Sequence, residues 1–175
     1  MYQDQLIIPK ERIPALIGQK GETKRRLSKS SGCKITVNSS TGEVTIIGED
    51  SLDIFNLKKV IRAIARGFNP KIASMLLSDK YVLEIVNIKD YANDSKGMIR
   101  IKSRAIGTKG KSRKTIEALT QTDISIYGKT ITIIGEVENA LLARRALEML
   151  LKGSKHGNVY GWIERQKKIN LHRAE

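Results

Sequence analysis

The chain repeats itself once, and that duplication constrains its fold more than any other feature of the sequence. Gly18 falls on Gly107, 89 residues on, and in the same register Ile17 falls on Ile106, Lys20 on Lys109 and Gly21 on Gly110. Lys24-Arg25 then meets Arg113-Lys114, Leu27 meets Ile116, Ile35 meets Ile124 and Val37 meets Ile126, all without a gap. Shortening Asn38-Ser39-Ser40-Thr41-Gly42 by two residues relative to Tyr127-Gly128-Lys129 also brings Thr45-Ile46-Ile47-Gly48 onto Thr132-Ile133-Ile134-Gly135. The length change sits in turn residues, where it perturbs little. Two copies are too few for a solenoid, so the 175 residues are expected to form two small domains and a connector. The expected boundaries are 1–69 for the first domain, 70–79 for a helical connector opened by Pro70 and packed between the domains, and 80–152 for the second domain. Residues 153–175 read as a basic tail, helical through Trp162, Ile163, Arg165 and Lys168.

Periodicity gives both copies the same element order. In the first, Gln5–Pro9 reads as a strand, Lys10–Ile17 and Glu22–Ser30 as helices on either side of Gly18-Gln19-Lys20-Gly21, and Cys33–Val37 and Glu43–Ile47 as strands. A last helix is expected with Ser51 as N-cap, an apolar stripe of Ile54, Phe55, Leu57, Val60, Ile61 and Ile64, and a stop at Gly67. The second copy runs as strand Tyr81–Ile88, a helix around Lys96–Arg104, loop Gly107–Gly110, helix Lys111–Leu119, strands Asp123–Tyr127 and Thr130–Ile134, and helix Glu136–Leu151. The fold class is α+β, with each copy a β-α-α-β-β-α unit whose three-stranded sheet is covered on one face by three helices.

Thirty-two Lys and Arg against 18 Asp and Glu leave a formal charge of +14, which attracts a polyanion. Nucleic acid is the leading partner; a surface made basic for solubility or for an acidic membrane is the blander alternative. The lone Cys33 has no intramolecular disulfide partner, and His156 and His172 stand at no usual zinc spacing from it, so neither metal nor cofactor is expected. No apolar run approaches the roughly 18 residues of a membrane span, and Met1-Tyr2-Gln3-Asp4-Gln5 lacks the marks of a signal segment. A cytoplasmic monomer is the expectation.

Gly-x-x-Gly between two helices suits contact with a phosphate backbone. The first glycine permits the reversal, and the second lets backbone N–H groups approach where a Cβ would stand in the way. Both loops place a lysine at the second x, Lys20 and Lys109, beside Gln19 and Thr108. Lys24, Arg25 and Arg26 stand behind the first loop and Lys111, Arg113 and Lys114 behind the second. Ile17-Gly18-Gln19-Lys20-Gly21 and Ile106-Gly107-Thr108-Lys109-Gly110 resemble the Ile-Gly-x-x-Gly signature of type I KH domains, and the element order matches. That resemblance implies single-stranded RNA or DNA, with the loop clamping about four nucleotides. It also implies an apolar base groove formed by Leu27, Ile35 and Val37 in the first copy and Ile116, Ile124 and Ile126 in the second, residues whose plainer role is core. The tandem arrangement and the segment Gly157-Asn158-Val159-Tyr160 resemble archaeal relatives of the small-subunit ribosome assembly KH proteins. The implied target is then the 3′-end region of small-subunit ribosomal RNA during maturation, with ribosome-assembly or translation-initiation proteins as possible partners.

Two other classes compete. Ala105–Ser112 fits a relaxed P-loop pattern, but the basic, helix-like segment holding Lys96, Arg100, Lys102 and Arg104 precedes it where an NTPase needs a buried strand. A protein-interaction scaffold with silent KH folds is the third class, and the intact lysine-bearing loops argue against it. No catalytic residue is expected, because Cys33 has no histidine near it and the carboxylates are scattered.

Overall fold

A computed structural model describes residues 1–175, and the chain divides into two units, Met1–Tyr81 and Val82–Glu175. The first unit contains β1 (Tyr2–Ile7), α1 (Ile13–Ile17), α2 (Glu22–Ser31), β2 (Lys34–Asn38), β3 (Glu43–Gly48) and α3 (Ser51–Ala65). β3 is the middle strand, antiparallel to both neighbours, with Thr45 opposite Gln5 on one side and Thr36 on the other. Its Val44 and Ile46 are fully buried, as are Leu16, Leu27, Leu57 and Ile61 of the helices, so one face of the sheet makes the core.

Helix α4 (Pro70–Ala73) and a 3-10 turn (Ser74–Leu77) follow and pack against α3. Asn69 caps α4 by accepting from the Lys71 N–H at 2.8 Å, and Ala73 and Leu76 are buried. The expected connector is therefore folded onto the first unit.

The second unit repeats the order: β4 (Tyr81–Asn87), α5 (Ser95–Ile106), α6 (Lys111–Thr120), β5 (Asp123–Tyr127), β6 (Thr130–Glu136) and α7 (Val137–Leu151), with strand order β4-β6-β5. Helix α8 (His156–Ala174) then packs on α6 and α7, burying Val159 and Ile163 in the core of this unit.

Four details differ from the sequence expectation. β1 starts at Tyr2 because its polar end is held by ladder pairing with β3 out to Gly48, which no hydrophobic alternation announces. The expected helix Lys10–Ile17 divides into a 3-10 turn, Lys10–Arg12, and a five-residue α-helix with Pro14 in its first turn, where the missing N–H costs least. Asp50, not Ser51, caps α3, accepting from the Leu52 N–H at 2.8 Å. Phe55 lies off the buried stripe of Ile54, Leu57, Ile61 and Ile64; it is 59% exposed, with the Lys59 ammonium 5.1 Å from its ring.

Candidate nucleic-acid interface

The two Gly-x-x-Gly loops have the same backbone. Gly18 sits at φ 74, ψ 175 and Gly107 at φ 75, ψ 171, a region open in practice only to glycine. A Cβ on Gly18 would stand 2.3 Å from Thr23 Oγ1, and one on Gly107 would stand 2.6 Å from the Ser112 backbone nitrogen, so the first glycine is also required for helix approach. Lys20 (φ 50, ψ 27) and Lys109 (φ 54, ψ 29) are left-handed, an uncommon state for a residue with a side chain. Gly21 and Gly110 are left-handed as well and begin the next helix. Gly18 N–H donates to Pro14 O at 2.9 Å and Gly107 N–H to Ser103 O at 2.8 Å, which ends the first helix and launches the turn.

The second glycine is open on its outer side. Its nearest neighbour is a flexible basic side chain: Arg25 in the first loop, 3.3 Å from a Cβ built there, and Lys114 in the second at 3.8 Å. The aligned pair Arg25 and Lys114 therefore stands in the same place, but the two act differently. Arg25 braces its loop by donating to the Lys20 carbonyl at 2.7 Å, whereas Lys114 carries no ion pair and lines an open groove of about 860 Å³ with Thr108, Lys109, Lys111 and Leu119. Gln19, Lys20, Thr108, Lys109 and Lys111 are exposed; Ile17, Ile106 and Lys24 are half-buried.

The expected apolar groove is only partly assembled. Ile35 (4% exposed) and Ile124 (3%) are core residues, as are Leu27 and Ile116, because the face of β2 and β5 that they occupy packs under the helices. Val37 and Ile126, two residues further along each strand, emerge half-buried. Arg113 is turned from the loop to the strand: it donates to Glu117 Oε1 at 3.1 Å and to the Ile124 carbonyl at 3.3 Å, while Glu117 Oε1 accepts from the Ile124 N–H at 2.8 Å. This clip fastens α6 to the outer edge of β5. The first unit has Lys24 and Ser28 at the aligned positions and so lacks the pair.

Ala105–Ser112 runs from the last turn of α5 into the first turn of α6, with a helix and not a strand before the loop, so the strand–loop–helix cradle of a P-loop is absent. The sequence reading did not foresee that α8 returns to the second loop: His156 and Tyr160 stand across a hollow from Thr108 and Lys111. The segment containing Tyr160 was legible only as a family resemblance.

Family models match both units: a KH domain over residues 3–63, and a Eukaryotic type KH-domain (KH-domain type I) over residues 82–168. The chain is 45% identical to a KH domain-containing protein of Methanocaldococcus jannaschii, over 97% of this chain and 77% of that protein. It belongs to the KH-domain family, with two domains in tandem. Among solved structures this tandem KH protein is similar to Dim2p from Pyrococcus horikoshii, with a TM-score of 0.88 and 40% identity over 94% of this chain and 99% of that one. It is equally similar to a chain of the a/eIF2alpha-aDim2p-rRNA complex from the same organism, with a TM-score of 0.89 and 41% identity over 95% and 94%. The RNA-binding protein pno1 of Drosophila melanogaster is 34% identical over 66% of this chain, which spans 50% of that longer protein.

Proposed function

We propose that this tandem KH protein binds single-stranded RNA through both Gly-x-x-Gly loops, and that its target is the 3′-end region of small-subunit ribosomal RNA during ribosome assembly. The observation that carries the reading is the loop geometry, built twice to within a few degrees, with an open second glycine and a left-handed lysine beside it. Such a surface offers backbone N–H groups and positive charge to a sugar-phosphate chain, and its shallow setting suits splayed bases, not the deep groove of A-form RNA. Gly18, Gln19, Lys20 and Gly21, with Lys24 and Arg25 behind them, hold one stretch of backbone. Gly107, Thr108, Lys109 and Gly110, with Lys111 and Lys114, hold another. Ile17, Val37, Ile106 and Ile126 are the apolar surface left for bases, and Arg113 contacts a base edge if its clip opens.

The rRNA assignment is supported by the likeness to the aDim2p–rRNA complex and to the pre-rRNA-processing protein pno1 of Aspergillus fumigatus, 31% identical over 58% of this chain. A translation-initiation subunit of the a/eIF2alpha kind is the protein partner that this likeness supports.

Two charge-reversal variants test the reading: Gln19→Asp with Lys20→Asp, and Thr108→Asp with Lys109→Asp. Both leave the glycines in place. Tethered domains sharing one strand raise each other's effective concentration, so either variant loses more than one domain's share of affinity. Unchanged binding by both folded variants overturns the reading. Crosslinking to total RNA identifies the target: reads clustered at the 3′ end of small-subunit rRNA support the assignment, and scattered mRNA reads refute it.

A further inference from the structure

The C-terminal helix gives the second loop a companion that the first unit lacks. A pocket of about 430 Å³ opens between the end of α5 and the first turns of α6 and α8. Arg104, Thr108, Lys111, Ser112, His156 and Tyr160 line it, and no carboxylate does. Two helix N-termini meet there, and neither α6 nor α8 has a side-chain cap, so the positive ends of both helix dipoles lie at one place, although the Lys111 N–H is held by Thr108 O.

A second, independent observation comes from Ser112. It lines the pocket, is 2% exposed, and its hydroxyl has no hydrogen-bond partner in the protein. Buried hydroxyls without partners are destabilising, and sites that retain them commonly serve a ligand. The other polar walls are held by backbone. The Arg104 guanidinium donates to Leu150 O and Ser154 O, leaving further N–H groups of its fork, and the His156 ring nitrogen Nε2 lies 2.9 Å from Arg104 O. Thr108 and Lys111 line both this pocket and the groove along α6, so the two hollows adjoin at the loop.

We propose that this pocket is a phosphate subsite of the second domain, holding one phosphate group of the strand next to those gripped by the loop. The inference rests on the RNA-binding reading above. The donors are the Ser112, Thr108 and Tyr160 hydroxyls and the Lys111 ammonium, in the field of the two helix N-termini. In the first unit the chain after α3 continues only as the short Pro70–Leu77 segment, which packs on α3, so only the second domain has a full helix beside its loop and grips one phosphate more than the first.

A single neutral methylphosphonate linkage, moved stepwise along a bound single-stranded RNA, reads each phosphate separately in the full chain. The wild type should show a block of sensitive linkages that the Thr108→Asp/Lys109→Asp variant abolishes, plus one adjoining linkage where neutralisation weakens binding about fivefold. Ser112→Ala and Tyr160→Phe should make that adjoining linkage insensitive and leave the rest of the block intact. Ser112→Ala should melt no lower than wild type, which separates a ligand role from a structural one. The same strand with a 5′- or 3′-terminal phosphate in place of a hydroxyl identifies the source: a gain confined to one end, and lost in both variants, assigns the pocket to a strand terminus. If wild type and pocket variants show the same sensitive linkages and the same end effects while RNA still binds, the subsite is refuted and the RNA reading stands. If the wild type binds no RNA, both fall.

Discussion

Arg12 and Arg104 each fasten two carbonyls at the end of the helix that follows the third strand of their domain, α3 and α7 respectively. Arg12 donates from Nε to Ile64 O at 2.8 Å and from its terminal nitrogen to Phe68 O at 2.9 Å; Arg104 does the same to Leu150 O at 3.3 Å and Ser154 O at 2.5 Å. With Gly67 set on Gly153, one residue shorter than the register of the strands, Ile64 falls on Leu150 and Phe68 on Ser154, yet the two arginines do not align, since Arg12 precedes its loop glycine by six residues and Arg104 by three. Each guanidinium adds a second donor to a last-turn carbonyl that already accepts from the glycine after the helix, reaches one carbonyl beyond it, and lies favourably on the helix dipole. Lysine cannot reproduce the fork. Arg12→Lys should therefore destabilise the first domain, and Arg104→Lys the second, by about 1–2 kcal/mol each in denaturant titration; no change in midpoint would remove the capping role.

The two glycines of each loop should fail in different ways. Gly107→Ala places a methyl 2.6 Å from the Ser112 nitrogen in a glycine-only conformation, so loss of at least about 2 kcal/mol of stability is expected. Gly110→Ala meets nothing closer than 3.8 Å and bears mainly the left-handed penalty of about 1 kcal/mol. Its methyl nevertheless stands on the approach side, so Gly110→Ala should lose RNA affinity out of proportion to its stability. Thermal melts and fluorescence anisotropy on both variants check this.

Cys33 should report the opening of the first domain. It is 3% exposed, and burial pushes its thiol above the ordinary range, with a smaller opposing effect from Ser31. Labelling by an aromatic disulfide reagent in native buffer should run at least about a hundredfold slower than in denaturant. Arg12→Lys should accelerate it, whereas Arg104→Lys should not. Equal acceleration by both would mean that the two domains open together.

Burial alone raises the Asp123 carboxyl above its ordinary value of 3.8. The folded state then holds that proton more tightly than the unfolded chain, so the charged form opposes folding above the raised folded pKa and the penalty vanishes below the unfolded one. Asp123→Asn should stabilise the second domain at neutral pH. The gain should shrink as pH falls through the folded pKa of Asp123, as urea midpoints from pH 7 to pH 3 will measure. A gain that persists at low pH would contradict a charge origin.

RNA affinity should fall steeply with salt, with a log–log slope of about −0.7 per phosphate neutralised on a single strand. Removing one contact, as in Tyr160→Phe, should leave the slope unchanged because no charge is lost, while Lys109→Gln should flatten it by about one such unit. A salt-insensitive wild type would contradict phosphate recognition.

The sequence by itself determined the duplication, the fold class and the position of both loops. Gly-x-x-Gly, the apolar period of each helix and the alternation of Val44 and Ile46 are local signals, written in residues whose backbone freedom or burial leaves few alternatives. Tertiary structure decided what depends on residues distant in sequence. Ile35 and Ile124 read as core by their apolar pattern and as groove by the family resemblance, and the helices above them put them in the core. Arg113 read as a loop cation, but Glu117 and the free edge of β5 draw it to the strand. Arg12 and Arg104 show no shared register, because a long flexible side chain can reach one carbonyl pair from two different turns. The association of His156, Tyr160 and Ser112 arises because Val159 and Ile163 bury α8 in the second core, which brings its first turn to a loop that ends 46 residues earlier in the chain.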